Sequence, residues 1–138
     1  KKKFQDSIIL IYTNSQRNQD EIAKSHENKD KRKMLELARK AHKAFLREDI
    51  EEIGKLLLET WEEKRKISPL ISTKKIDKMV DKVMNMGAYG AKLLGSGGCG
   101  FLMVICNPAA KKKILKEFGK DTLEIEFEGQ GTSVVYPN

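Results

Sequence analysis

The sequence predicts an α+β fold: a mostly antiparallel sheet with helices packed on one face. Three observations carry that expectation. Short β-branched runs stand near both ends of the chain, amphipathic helical patterns fill the span between them, and a glycine cluster leads into an apolar run near residue 101. Strands at the two ends with helices between them fit a sheet whose buried face is covered by those helices.

Ser7 to Tyr12 is a short apolar run rich in β-branched residues and reads as a buried strand. Thr13-Asn14-Ser15 breaks it, since Asn tolerates left-handed geometry and Ser can cap a helix. A polar helix is expected over Gln16–Glu27. Met34, Leu35, Ala38, Ala41, His42, Phe45 and Leu46 then recur at three- and four-residue steps, the spacing of an amphipathic helix. Asp49 is placed to cap the next, with Ile50, Ile53, Leu56, Leu57 and Trp61 on its inner stripe. Pro69 ends it, because proline disfavours helical geometry at the preceding residue.

Thr73 caps a further helix carrying Ile76, Met79, Val80, Val83 and Met84 inward, with Gly87 as its stop. Phe101–Cys106 reads as a strand, and Pro108 suits the first turn of a helix with Ile114, Leu115 and Phe118 on one side. Thr122–Glu128 alternates Leu123, Ile125 and Phe127 against Glu124, Glu126 and Glu128. Gly129-Gln130-Gly131 turns it into Thr132–Tyr136, which together predict an antiparallel hairpin with one wet face.

The 138 residues fit one domain, and a 39% hydrophobic fraction suffices for one core. No apolar run approaches the roughly 20 residues of a membrane-spanning helix. The opening Lys1-Lys2-Lys3-Phe4-Gln5-Asp6 lacks the apolar stretch of a secretory signal and an initiator Met, so the expectation is part of a longer, cytoplasmic protein. Cys99 and Cys106 make no disulfide framework. His26 and His42 lack any metal-ligand spacing, so no metal site is expected. The net charge of +7 lies mostly in residues 1–50, where both signs interleave as on a solvated helix face. Nucleic-acid grooves need same-sign clusters, and no aromatic-rich RNA-binding motif is present.

The segment that carries chemistry runs from Gly87 to Phe101, with six of the ten glycines. Glycine takes positive φ and lets backbone approach a ligand or another loop, and successive N–H groups can cradle an anion. A tight connection between strands explains the same glycines on packing alone. The Walker pattern is excluded because no Gly-Lys-Ser/Thr follows, and a dinucleotide fingerprint is excluded because the cluster leads into a strand.

The string Gly87-Ala-x-Gly-Ala-Lys-Leu-x-Gly-Ser-Gly-Gly-x-Gly100 resembles the third motif of the GHMP family of small-molecule kinases, which includes galactokinase and the homoserine, mevalonate and phosphomevalonate kinases. Within it, the string is most similar to the sugar-kinase branch that holds the D-glycero-D-manno-heptose 7-phosphate kinases. Tyr12-Thr13 and Arg17 resemble that branch's Tyr-Thr-Gly…Arg segment. Trp61, Lys64-Arg65, Ser68, Ile71-Ser72 and Ile76-Asp77 match its Trp-x-x-Lys-Arg…Ser…Ile-Ser…Ile-Asp run, and Phe101-Leu102 and Ser133–Tyr136 agree. Asn14 replaces a Gly of the branch, Ser96 an Ala and Cys99 a Gly. The family's ATP-phosphate motif, Pro-x-x-x-Gly-Leu-Gly-Ser-Ser, does not occur.

The resemblance implies that residues 1–138 are a ferredoxin-like C-terminal domain, with the ATP-binding N-terminal half absent. It implies an ATP-dependent transfer to a sugar or sugar phosphate, a heptose 7-phosphate first, with ATP and Mg²⁺ held mainly by the missing half and the catalytic residues there too. Gly95, Ser96, Gly97, Gly98 and Cys99 would support the phosphate loop and border the substrate, with Lys92 adding charge. Arg17, Trp61, Lys64 and Arg65 would line the same cleft. The residues themselves also allow plainer roles: a solvent-facing strand lysine at position 92, a core anchor at Trp61, and helix-terminal charges at Lys64 and Arg65. The expected partners are the substrate and the protein's own N-terminal domain, without nucleic acid or membrane. The competing reading is a ferredoxin-like binding module for RNA or a small effector.

Overall fold

The computed structural model describes residues 2–15 and 32–129. In chain order it holds helix α1 (Lys2–Asp6), strand β1 (Ile8–Tyr12), helices α2 (Arg32–Leu46), α3 (Ile50–Arg65) and α4 (Lys74–Asn85), strands β2 (Ala88–Leu93) and β3 (Phe101–Cys106), helix α5 (Pro108–Phe118), and, after a short 3₁₀ turn, strand β4 (Thr122–Leu123). The expected helix over 16–27 and the strand Thr132–Tyr136 lie outside the described residues. No helix among the described residues is long and apolar enough to cross a membrane.

The sheet order is β2-β3-β1-β4, and every pairing is antiparallel. This is the ferredoxin-like arrangement, with α4 and α5 as its crossover helices. Helix ends follow the sequence signals. Asp49 accepts from the Glu52 amide at 3.0 Å, Thr73 from Ile76 at 3.2 Å, and Asn107 from Ala110 at 2.8 Å. Each side chain satisfies an amide that the first helical turn leaves unpaired.

Alternation along the strands feeds two clusters. Ile9, Ile11, Leu102, Val104 and Cys106 point to α4 and α5, against Val80, Val83, Ala110 and Ile114. Ile8 and Ile105 point the other way, against Leu37 and Ala44 of α2 and Ile53 and Leu56 of α3. Helices on one face were expected; the crossover helices do share a face, and the α2–α3 pair covers the second. β1 and β3 are therefore apolar on both sides, which is why they read as unbroken hydrophobic runs.

Three elements depart from expectation. The edge strand β2 lies in the stretch Ala88–Leu93, which its glycines and alanines hid, and Thr122–Glu128 pairs only through Thr122 and Leu123. Beyond Leu123 the Gln5 side chain of the unforeseen α1 accepts from the Phe127 amide at 2.9 Å, and Phe4 stacks on Phe127, so local side chains replace the ladder. In α2 the inward stripe is Leu37, Ala41 and Ala44, whereas Leu35, Phe45 and Leu46 are 54%, 50% and 70% exposed. Only a narrow seam of α2 meets α3, so most of its apolar spacing faces out.

Candidate functional site

The turn from β2 to β3 needs four glycines in the left-handed region: Gly95 (φ 77°), Gly97 (124°), Gly98 (74°) and Gly100 (105°). Side chains with a Cβ rarely adopt such angles, so this backbone path depends on glycine. Asn14, standing where the resembled branch has Gly, also takes positive φ at 45°, as its side chain permits.

The loop is held from three sides. The Thr13 amide and hydroxyl both donate to the Gly100 carbonyl, at 2.9 and 2.8 Å, tying the loop's exit to the end of β1. The Gly98 amide donates to the Ile71 carbonyl at 2.8 Å, tying its middle to the α3–α4 connection. The Lys64 ammonium donates to the Gly95 carbonyl, tying its start to α3. Gly97 lies so close to that connection that a Cβ there would fall 2.9 Å from the Ile71 carbonyl oxygen. Since Gly98 donates to Ile71 and Cys99 to Gly97 at 2.9 Å, these two amides are spent inside the protein. A cradle of successive free N–H groups is therefore not what Gly98 and Cys99 offer; they hold the loop's shape.

The side chains singled out from the sequence fall into distinct places. Lys64 is buried and Lys92 half-buried, and burial holds both ammonium groups below the ordinary lysine range, with Lys92 lowering Lys64 further. Ser96 Oγ, directly after Gly95, is buried with no hydrogen-bond partner among the described residues. Cys99 is partly exposed. Trp61 is wholly buried in the core, one helical turn before Lys64, so its ring presents no surface to a cleft. Arg65 meets Asp77 and Glu62, both at 3.2 Å, and Ser72 Oγ donates to Asp77 at 2.6 Å. Those carboxylates offset its charge, so Arg65 closes the α3–α4 turn rather than presenting a free cation. Arg17 lies outside the described residues.

Two contributors were missed as site residues: the Ile71 carbonyl and Thr13. Both fall in segments flagged by resemblance, but a backbone acceptor leaves no signal in residue type. Among the described residues no group of three or more His, Cys, Asp or Glu gathers to hold a metal.

Comparison with known proteins agrees with this geometry. Residues 41–124 match the model for the C-terminal region of GHMP kinases. The chain is 38% identical over 74 residues to a mevalonate kinase of Methanocaldococcus jannaschii, covering 54% of this chain and 23% of that protein. It is 26% identical over 121 residues to a D-glycero-alpha-D-manno-heptose 7-phosphate kinase of Campylobacter jejuni, covering 82% of this chain and 36% of that protein. The crystal structure of a Methanococcus jannaschii mevalonate kinase superposes with a TM-score of 0.66 at 25% identity, over 86% of this chain and 39% of the other. The chain thus spans about a quarter to a third of the length of these two curated relatives. With its glycine turn, its sheet order and a family match over more than half its length, the chain belongs to the GHMP kinases, as their C-terminal domain.

Proposed function

We propose that this chain is the C-terminal half of an ATP-dependent phosphotransferase that acts in the cytoplasm on a hydroxyl of a sugar or sugar phosphate, a heptose 7-phosphate being the first acceptor to try. The observation that carries the reading is the glycine turn fixed by Thr13, Ile71 and Lys64, with unpartnered Ser96 and half-buried Lys92 beside it. A loop held that firmly is pre-organised, and phosphoryl transfer is catalysed mainly by positioning and by charge set in place beforehand.

In this reading Gly95 to Cys99 buttress the phosphate loop of the N-terminal half and border the acceptor. Lys64 and Lys92 supply positive charge near the transferring group. When bound, ATP supplies the phosphoryl group and Mg²⁺ offsets its negative charge. The lysines fit the nucleotide's anionic character, whereas the ion and the acidic base are assigned to the N-terminal half. A mevalonate-type acceptor is the second reading, favoured by the 38% identity to the archaeal mevalonate kinase. The family match favours either kinase over the binding-module alternative.

The test is ADP release by the full-length protein with a heptose 7-phosphate, fucose or mevalonate as acceptor. Turnover with one of the sugars is expected, and none by the 138-residue chain alone above a heat-killed control. Turnover by this chain alone, or none by the full-length protein with any of the three, would overturn the reading.

A further inference from the structure

Helix α2 carries a wider apolar face than the fold uses. Leu37, Ala41 and Ala44 form its seam with α3 and the sheet. A second stripe, Leu35, Ala38, His42, Phe45 and Leu46, recurs at three- and four-residue steps and stays exposed, although Phe45 meets the Phe4 ring edge-on. Large apolar side chains grouped on a surface mark a place where another molecule packs. The charges on α2 divide along the same line. Lys33 reaches Glu59 of α3 at 3.4 Å, and Lys40 pairs with Glu36 at 2.9 Å. Arg39 and Lys43, with Arg47 just past the helix end, form a row at four-residue steps and meet no carboxylate among the described residues. Arg39 follows Leu35 by four residues and Lys43 precedes Leu46 by three, so the unpaired row borders the open stripe. A second copy packed antiparallel on α2 would set this row against its own counterpart, so charge disfavours a dimer here. The stripe's other edge is the seam with α3, whose Glu51, Glu59 and Glu62 are each paired with a cation and offer an anionic lipid surface no net attraction. A narrow apolar strip with cations along one edge fits a helix laid along it.

We propose that the open face of α2 is a docking surface for an amphipathic helix of a partner protein. The partner lays its apolar side on Leu35, Phe45 and Leu46 and sets Asp or Glu beside Arg39, Lys43 and Arg47. The inference does not depend on the kinase reading.

The full-length protein is titrated into two fluorescent synthetic helices, and binding is read by anisotropy. Both helices carry leucine at three- and four-residue steps; one is bordered by glutamate and the other by lysine. Saturable binding of the glutamate helix, about tenfold or more tighter than that of the lysine helix, is the expected result. Leu35→Gln combined with Leu46→Gln changes only exposed side chains and should weaken binding about tenfold or more. Arg39→Glu combined with Lys43→Glu should turn the preference toward the lysine helix. Melting shows that each double variant is folded. Binding of neither helix, as when the protein's own N-terminal half covers the stripe, overturns the proposal, as does equal binding of both or unchanged binding in the folded variants. Self-association that Leu35→Gln with Leu46→Gln abolishes assigns the face to a second copy and overturns it too. Flotation with phosphatidylserine vesicles, without binding of the glutamate helix, assigns the face to a membrane and does the same.

Discussion

Gly90 of β2 packs its Cα directly on the carbonyl of Gly54 in α3. A Cβ built on Gly90 would lie 1.8 Å from the Gly54 oxygen, and one built on Gly54 would lie 2.4 Å from the Cβ of Tyr89. Helix and strand meet here backbone to backbone. This contact sets the height of α3 over the sheet, and α3 is the helix that delivers Trp61 and Lys64 to the loop's base. Gly90 therefore belongs to packing, although it sits inside the glycine motif. Gly90→Ala should cost about 3 kcal/mol or more, at the upper end of overpacking. Gly95→Ala has open space around its new methyl group and should cost only about 1 kcal/mol from its positive φ. Urea unfolding of both variants checks the ranking; equal losses would contradict it.

Buried Lys64 and half-buried Lys92 set an alkaline stability profile with a definite sign. Lys64 and Lys92 release their protons at lower pH in the folded state than in the unfolded chain. Between the folded and unfolded values the unfolded state binds more protons, so their contribution to stability rises with pH until both forms are neutral. Burial raises the Cys106 thiol from 9.0 to about 11, which acts oppositely: its contribution is full below 9.0 and is lost as pH climbs toward about 11. Relative to wild type, Lys92→Met should therefore lose stability progressively as pH rises toward the ordinary lysine value of 10.5, and Cys106→Ala should gain between 9.0 and about 11. Urea midpoints across the range measure both.

The two cysteines should separate by accessibility. Cys106 Sγ is buried, with the Ser7 carbonyl 3.7 Å away, while Cys99 lies partly exposed in the glycine turn. Thiolate is the reactive form, and a protonated buried thiol is inert. A thiol reagent near neutral pH should label Cys99 in the native protein and reach Cys106 only in denaturant. Peptide mapping distinguishes this from labelling of both at one rate.

Much of the fold could be read from residue pattern, and the failures have physical causes. β1 and β3 were clear because β-branched residues fill both faces, and the signals at Asp49, Thr73 and Pro108 marked three helix starts. β2 was hidden because the close approach of α3 demands Gly90 and small neighbours, which suppress the usual strand composition. The α2 helix was legible from its spacing, but spacing alone does not say which side meets a partner. At the site, the glycine turn and both lysines were visible in the sequence. Their connections were not: Thr13 to Gly100, Gly98 to Ile71 and Lys64 to Gly95 span 87, 27 and 31 positions, set by tertiary packing.

The central claim is that this turn serves turnover and not only strand connection. The most direct measurement is kcat and Tm of the full-length enzyme carrying Gly97→Ala, with Gly119→Ala as control. Gly119 also has positive φ, at 49°, and open space, but lies between α5 and β4, away from the turn. Both variants should lose stability, Gly97→Ala somewhat more because its methyl group presses on the Ile71 carbonyl. Displacing a loop beside the reacting centre should lower kcat on the order of 100-fold in Gly97→Ala, with kcat in Gly119→Ala unchanged. Unaltered kcat in both variants, with lowered Tm alone, would contradict the account and leave the turn as a connection between strands.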